Sequence, residues 1–304
     1  MPGRTAGGNR SPGASGTAGG VMRMWWSCAL VSGACALALQ AWAEPLPERR
    51  SVERPLWEAG LGLGGLSLPD YRGAATRSNY VLPLPYVVYR GDWLRADRDG
   101  ARAVLVDAPS WAIDLSLAGS PPARGRSEGI RAGMDDLPAT FEIGPNASIN
   151  LWRTARRDLQ LQLRLPLRAV FTLERSPRSA GAVFQPHLHL DSPSLNGGWR
   201  LSLQTGPVYG TAAHHRHYYG VAASEALPER PAYQARAGYG GWQTLGAVSR
   251  RIGAHWVGAF VRHDHVGGAV FADSPLVERR SGWSVGLGWA MVLGRSAQTV
   301  TVYE

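Results

Sequence analysis

The chain is 304 residues long and carries a formal net charge of +9, from 32 basic residues, all of them arginine, against 23 acidic ones. The arginines are spread over turns and polar segments without a dense run, so the basic balance does not indicate nucleic-acid binding. After residue 43 no apolar run approaches the roughly 18 residues of a membrane-spanning helix, which excludes helical membrane proteins. Both cysteines, Cys28 and Cys35, precede residue 44, so a disulfide or a thiolate metal site is excluded from the mature protein.

Three segments precede the body of the chain. Residues 1–21 are rich in Gly, Ser, Pro and Ala without periodicity, which predicts a disordered extension or a mis-assigned translation start. Residues 22–43 join a positive start, a short apolar stretch and an Ala-Trp-Ala site, the pattern of a secretory signal peptide cleaved after Ala43. Residues 44–55 form a charged, proline-containing lead-in, expected in the periplasm.

Residues 56–68 begin a series of predicted strands. Apolar Trp57, Ala59, Leu61 and Leu63 alternate with Glu58, Gly60, Gly62 and Gly64. Strand interiors normally avoid glycine, so the glycine face indicates a tightly curved wall or a close approach inside a lumen. The glycines do not form a phosphate-binding loop, because their spacing is wrong for one and no helix follows.

Residues 79–89 form a second predicted strand, with Pro83 and Pro85 on one face. Each proline removes a ladder donor, so this strand is expected to be bulged or poorly paired on one side. Three shorter strands follow, with a hairpin turn at 97–100. They cover residues 93–96, 101–106 and 111–117.

The clearest alternation in the chain follows the predicted strand 138–152. From Asp158 to Phe171 every odd position is apolar, and the even positions are polar or proline until Val170. A period of two describes a strand, and the same leucines on a helix would share no face. The length exceeds the usual 5 to 6 residues of a soluble strand and suits the about 9 to 11 residues of a tilted membrane strand.

Five more segments bring the count to twelve strands: residues 182–190, 199–209, 235–249, 256–266 and 283–293. Short turns alternate with longer loops, which are predicted to be polar and solvated. This asymmetry and the even number predict an all-β fold, a closed antiparallel transmembrane β-barrel of the bacterial outer membrane, over residues 56–293. In the tail, residues 294–304, the segment 299–303 is either an extra strand or part of a periplasmic extension.

Tryptophan gives a check that the strand assignment did not use. If the long loops are outside, six tryptophans fall at the periplasmic strand ends, as in the aromatic girdle of an outer-membrane barrel. They are Trp57, Trp93, Trp111, Trp152, Trp199 and Trp256.

The sequence also resembles the MipA/OmpV family of Gram-negative outer-membrane proteins over nearly all of residues 54–294. The resemblance is carried by L-W-E-A-G-L-G-L-G-G-L-S-L-P-D-Y-R-G (56–73), Y-V-L-P-L-P-Y-V-V-Y-R-G-D (80–92), F-E-I-G-P (141–145), W-V-G-A-F-V-R (256–262) and D-S-P-L-V (273–277). It implies an outer-membrane barrel without a catalytic motif or cofactor. It further implies a scaffold that joins a lytic transglycosylase to a bifunctional penicillin-binding murein synthase in peptidoglycan assembly, while other members resemble adhesins or osmotically responsive surface proteins.

Three sets of polar residues were weighed as sites. His214, His215 and His217, beside two tyrosines, could bind a metal, but they are expected in a solvated external loop without a paired carboxylate. His187, His189 and Asp191 share a strand face with Gln185 and could form a hydrolase with Ser202, yet a polar lumen face explains them and no nucleophile elbow is present. A predicted periplasmic turn carries three arginines, Arg153, Arg156 and Arg157. They could bind an acidic partner or a lipid phosphate, or they could simply be solvated.

The residues leave three functions open. The first is a non-enzymatic scaffold acting through periplasmic turns and termini, in contact with outer-membrane lipid and peptidoglycan-processing enzymes. The second is a surface adhesin or a narrow solute pore, and the third is a barrel hydrolase that depends on His187 or His189. About twelve strands leave at most a narrow lumen.

Overall fold

The computed structural model describes residues 51–97, 100–123, 129–154 and 159–303. The predicted extension and signal peptide therefore lie outside the described residues. The described residues form fifteen strands, one α-helix, α1 (Ala212–Tyr219), and two 3₁₀ turns (Asn196–Gly198 and Ala223–Glu225). The strands are β1 (Ser51–Pro55), β2 (Trp57–Pro69), β3 (Arg77–Arg90), β4 (Leu94–Asp97), β5 (Gly100–Asp107), β6 (Trp111–Ser120), β7 (Thr140–Arg153), β8 (Gln160–Thr172), β9 (Ser179–Phe184), β10 (His187–Leu195), β11 (Trp199–Gly210), β12 (Gly238–Ile252), β13 (His255–His265), β14 (Ser281–Arg295) and β15 (Thr299–Tyr303).

Strands β2 to β14 form a closed antiparallel barrel of twelve wall strands. Each pairs with its neighbour in chain order, and β14 pairs with β2 to complete the ring. β9 and β10 are two parts of one wall strand, interrupted at Gln185 and Pro186, because both lie between β8 and β11. Each of the twelve predicted strands is confirmed, and the largest difference is that β10 continues to Leu195.

The outer surface of the barrel is apolar. Along β14 every odd position from Trp283 to Leu293 points outward, and Leu287 keeps 72% of its side chain exposed. On β2, Leu61 and Leu63 pair with Met291 and Trp289 and are similarly exposed. An apolar surface of this extent is stable in hydrocarbon, and strand pairing around the ring satisfies most of the backbone groups there.

All six tryptophans lie at the predicted strand ends, but Trp256 does not face lipid as the other five do. The five point outward and keep 40–70% of their side chains exposed. Trp256 instead pairs with Ala290, which is 2% exposed, so the register turns it into the lumen. The sequence placed Trp256 at the correct end of its strand, but position alone did not determine whether its side chain faces lipid or the lumen.

One end of the barrel carries the short turns together with β1 and β15, and the other carries the long loops. Because bacterial outer-membrane barrels have short turns in the periplasm, we assign the short-turn end to the periplasmic side. Among the described residues, no helix is long and apolar enough to cross a membrane.

The long loops are not the polar, solvated segments that the sequence suggested. Residues 70–76, 129–139, 211–237 and 266–280, here called the cap, pack together around an apolar core. Its centre is a stacked pair, Tyr219 and Phe271, whose ring centroids are 3.6 Å apart. The buried residues of this cluster are Tyr71, Ala74, Ala123, Met134, Leu137, Tyr219, Val221, Ala235, Val266, Ala269, Phe271 and Leu276.

Arg72 ties the cap to the inner wall of the barrel. Its Nε donates to Asp264 Oδ1 at 2.9 Å, while Nε of Arg262 donates to the other oxygen at 2.8 Å. Gln243 Nε2 also donates to Asp264, at 2.9 Å. Since Asp264 is 3% exposed, these donors satisfy a carboxylate that would otherwise be costly to bury.

Candidate functional site: the periplasmic mouth of the barrel

The histidine cluster does not form the solvated loop that we expected. It lies on α1 in the cap, where Thr211 caps the helix by accepting from the backbone N–H of His214. His215 is buried and its Nδ1 lies 2.7 Å from the carbonyl oxygen of Arg236. Burial lowers the pKa of His214 to about 3, so its imidazole is neutral.

The same helix explains why the three imidazoles do not converge. At about 100° per residue, His214 and His217 share a face of the helix, but His215 points away from both, so the three imidazoles cannot surround one ion. Their rings instead pack on aromatic neighbours, such as His215 on Phe271 with centroids 4.7 Å apart. No group of three or more His, Cys, Asp or Glu side chains that could hold a metal is found in the described residues.

His187, His189 and Asp191 face the lumen from β10, which agrees with the predicted strand face. The register places Asp191 opposite Ser202 and His189 opposite Gln204. The direct cross-strand neighbour of the Ser202 hydroxyl is therefore the Asp191 carboxylate and not a histidine imidazole. His189 is 0% exposed, so this arrangement gives a substrate no access to the imidazole.

The glycine face of β2 makes the close approach that its composition indicated. A Cβ at Gly60 or Gly62 would collide with the β14 backbone, at the carbonyl oxygens of Met291 and Trp289 respectively. Glycine at these positions lets β2 and β14 join tightly and close the ring. Of the three predicted turn arginines, Arg153 ends β7, and Arg156 and Arg157 lie outside the described residues.

A buried ion-pair cluster spans the periplasmic mouth. Glu58, on the lumen face of β2, is 3% exposed at its side chain and accepts from Arg90 Nη2 at 2.7 Å. Arg251, from β12, donates to the other carboxylate oxygen. Because β12 is three strands away from β2 around the ring, this contact joins separated parts of the wall. These charge pairs therefore brace the mouth from inside the lumen.

The two strands that flank the barrel in sequence form a small sheet beside this mouth. β1 and β15 pair antiparallel from Ser51 opposite Tyr303 to Pro55 opposite Thr299. The segment 299–303 is thus a strand, as one of our two alternatives had it, but it does not add to the barrel wall. We call this pair of strands the terminal sheet.

Backbone hydrogen bonds anchor the terminal sheet to the barrel. The N–H of Leu56 donates to the carbonyl of Gln298, and that of Ser296 donates to the carbonyl of Trp57, both at 2.9 Å. Arg90 Nη1 adds a 2.7 Å bond to the carbonyl of Pro55. Arg90 therefore links the terminal sheet to the buried Glu58, and the sheet is held in a defined place at the mouth.

With this geometry established, comparison with known proteins decides the family. The family model described as "MltA-interacting protein MipA" matches residues 61–292, well over half of the chain. The chain belongs to the MipA family. Among curated proteins, none matches this chain.

Two solved structures resemble this MipA-family barrel. A bacterial polysaccharide outer membrane secretin aligns with a TM-score of 0.38 and 10% identity, covering 78% of this chain and 99% of that one. The outer membrane phospholipase A from Escherichia coli aligns with a TM-score of 0.31 and 11% identity, covering 79% of this chain and 94% of that one.

Sequence reasoning missed the terminal sheet of this MipA-family protein as a unit. Its signal was the alternating Thr-Val-Thr-Val-Tyr of residues 299–303, whose residue types favour strands. The partner segment, Ser51–Pro55, contains charges and a proline and gave no such signal. Pairing between segments at opposite ends of a chain is fixed by where the barrel brings those ends.

Proposed function

We propose that this chain is a non-enzymatic scaffold of the outer membrane that holds a lytic transglycosylase and a bifunctional murein synthase together at its periplasmic face. The family description, which names an interaction with MltA, supports this assignment. The apolar outer surface supports residence in lipid. The observation that carries the proposal is the terminal sheet, a two-stranded element anchored by hydrogen bonds at the periplasmic mouth.

The terminal sheet has the features of a docking site for an extended segment. Among the described residues, β1 and β15 pair only with each other, so each keeps one unpaired edge. Natural proteins protect such edges with charge or proline. β1 carries Glu53, Arg54 and Pro55, but Thr299–Val302 of β15 contains neither charge nor proline. The edge of β15 therefore suits a partner strand that adds by backbone hydrogen bonds.

The hydrogen-bond register identifies which donors face this edge. Leu56 N–H bonds to the Gln298 carbonyl, and in an antiparallel ladder hydrogen-bonded pairs recur every second residue. Val300 and Val302 therefore bond toward β1, and the backbone N–H of Thr301 points to the free edge. Thr301 Oγ1 separately donates to Glu53 Oε1 at 2.8 Å.

A pair of substitutions at Thr301 tests the proposal. Thr301→Pro removes the edge donor and Thr301→Val keeps it, while both remove the side-chain bond to Glu53. We expect the purified chain to capture a lytic transglycosylase and a murein synthase from solubilised envelopes, and Thr301→Pro to reduce capture at least tenfold relative to Thr301→Val. Recovery of neither enzyme class by the unaltered chain would refute the scaffold function. Equal capture by both variants would show that the edge of β15 is not the docking site.

A lumen hydrolase is the alternative that the histidines raise, and His189→Ala separates it from the scaffold. The scaffold predicts that this variant captures its partners at the level of the unaltered chain. A hydrolase that depends on His189 would instead lose activity while retaining its partners.

Export by a cleavable signal peptide completes the proposal. Cleavage after Ala43 would give a mature chain that begins at Glu44, and intact-mass measurement of protein from envelopes would detect it. A mature N-terminus upstream of Met22 would contradict this reading of the leader.

A further inference from the structure

The barrel wall has a gap between β3 and β6. β3 pairs with β2 along its whole length, from Arg77 to Tyr89, but with β4 only at Tyr89 and Arg90. On the far side, the pairing of β5 with β6 ends at Ser116. In the described part of the chain, residues 79–88 of β3 and 117–120 of β6 have no strand partner on these facing sides. We call the region that they flank, above the short β4–β5 hairpin, the side opening.

Two prolines adapt the edge of β3 to remain unpaired. The Arg90 N–H donates to the Leu56 carbonyl at 2.8 Å, so the even residues of β3 bond toward β2 and the odd ones face the opening. Pro83 and Pro85 lack an N–H at two of these odd positions. An unsatisfied backbone donor in hydrocarbon costs several kcal/mol, and the prolines remove two of them. The poor one-sided pairing predicted for this strand is confirmed, and the prolines lie on the unpaired side.

The side opening lies at the depth of the apolar outer surface. Pro83 is opposite Leu63, which is opposite Trp289, so the edge is level with residues that contact hydrocarbon. Its rim is apolar, with Val81 80% and Leu117 48% exposed. At the extracellular margin the two edges are bridged by Tyr80 Oη, which donates to the Pro122 carbonyl at 2.8 Å.

The inner wall behind the opening is also apolar. Leu82, Leu84 and Tyr86 point into the lumen from β3, and the Tyr86 ring lies 6.3 Å from that of Trp256. Leu82 keeps 40% of its side chain exposed although it points inward. At the opposite wall, by contrast, the inward side chain of His189 is polar and 0% exposed. The space beside β3 is therefore both open and suited to hydrocarbon.

We propose that the side opening admits an alkyl chain of a bilayer amphiphile, which lies in the lumen against Leu82, Leu84 and Tyr86. The alkyl chain passes from the bilayer core to an apolar inner wall, so its entry requires no passage through water and leaves no hydrocarbon exposed. This site does not involve the terminal sheet. A result that refutes lipid binding would therefore leave the scaffold proposal intact, and the reverse also holds.

Photo-crosslinking at single positions tests the site. The full chain, with p-benzoylphenylalanine in place of Leu82 or Tyr86, is reconstituted in vesicles of phosphatidylethanolamine and phosphatidylglycerol, irradiated and weighed intact. The matched controls carry the same residue at Val81, which faces lipid, and at Gln204, which faces the lumen from β11. Gel mobility with and without boiling identifies the variants that fold. If the variant at position 82 does not fold, position 86 is used instead, because Tyr86 is already aromatic.

We expect phospholipid adducts at position 81 and at one or both of positions 82 and 86. The amount of adduct at position 204 should be at least tenfold lower. Adducts at 81 without any at 82 or 86 would overturn the proposal. Equal adducts at 82, 86 and 204 would overturn entry through the side opening, because lipid would then fill the lumen generally. Repeating the irradiation in native outer membranes assigns the alkyl chain by adduct mass to a phospholipid, a lipopolysaccharide or a free fatty acid.

Discussion

Glu58→Gln tests whether the periplasmic mouth is held by its charge pairs. The substitution keeps the volume of the side chain and removes the charge from a group that is 3% exposed and bonded to Arg90 and Arg251. A charge-assisted hydrogen bond contributes about 1.5 to 3 kcal/mol, roughly twice a neutral one. For Arg90, 25% exposed, we take a loss of about 1.5 kcal/mol. For Arg251, 41% exposed, screening by solvent reduces the loss to about 0.5 kcal/mol.

The expected destabilisation is therefore about 2 kcal/mol. With a urea dependence of about 3 kcal/mol per molar, the unfolding midpoint in vesicles should fall by about 0.7 M. Gel mobility without boiling and tryptophan fluorescence both report the transition. Glu174→Gln is the matched control, since Glu174 pairs with Arg178 at 3.0 Å on the surface and should leave the midpoint unchanged. A Glu58→Gln midpoint equal to that of the control would refute the bracing role of this cluster.

Three further predictions concern the cap and ring closure. The lowered pKa of His214, caused mainly by burial, gives stability that is complete above pH 6.5 and lost as the pH falls toward 3. The protection factors of amides 212–219, which correct for the slower intrinsic exchange at low pH, should therefore be lower at pH 5 than at neutral pH, and an equal decrease in a His214→Phe variant would refute this cause. Phe271→Ala removes a side chain that is 1% exposed and should cost about 3 to 5 kcal/mol, seen as proteolysis of the cap while the barrel keeps its unboiled gel mobility; a resistant cap would contradict the assigned core. Gly62→Val should prevent barrel formation because its Cβ meets the β14 backbone, whereas Gly65→Val, with nothing within 4 Å, should fold; an unboiled barrel band for Gly62→Val would show that the close approach is not required.

Most of the wall was predictable because alternation is local. In 158–171 and 283–293 a period of two fixes the strand and divides it into an apolar and a polar face, and the glycines of β2 correctly indicated a close approach. The face on which Trp256 lies was not predictable, because the alternation in its strand does not state which face is inside the barrel. The cap was missed for a related reason, since residues such as Phe271 and Leu276 have no periodic pattern and acquire their partners from other loops.

The sequence by itself therefore determined the strand count, the closed barrel and the poor pairing beside Pro83 and Pro85, because these follow from alternation and from donors that a residue type lacks. Only the tertiary structure decided that β1 and β15 form the terminal sheet, that Glu58 meets Arg251 from three strands away, and that the prolines border an opening over an apolar inner wall. Each of these depends on which distant segments the ring brings together. Such neighbours are set by closure of the whole barrel, and no local pattern of residues encodes them.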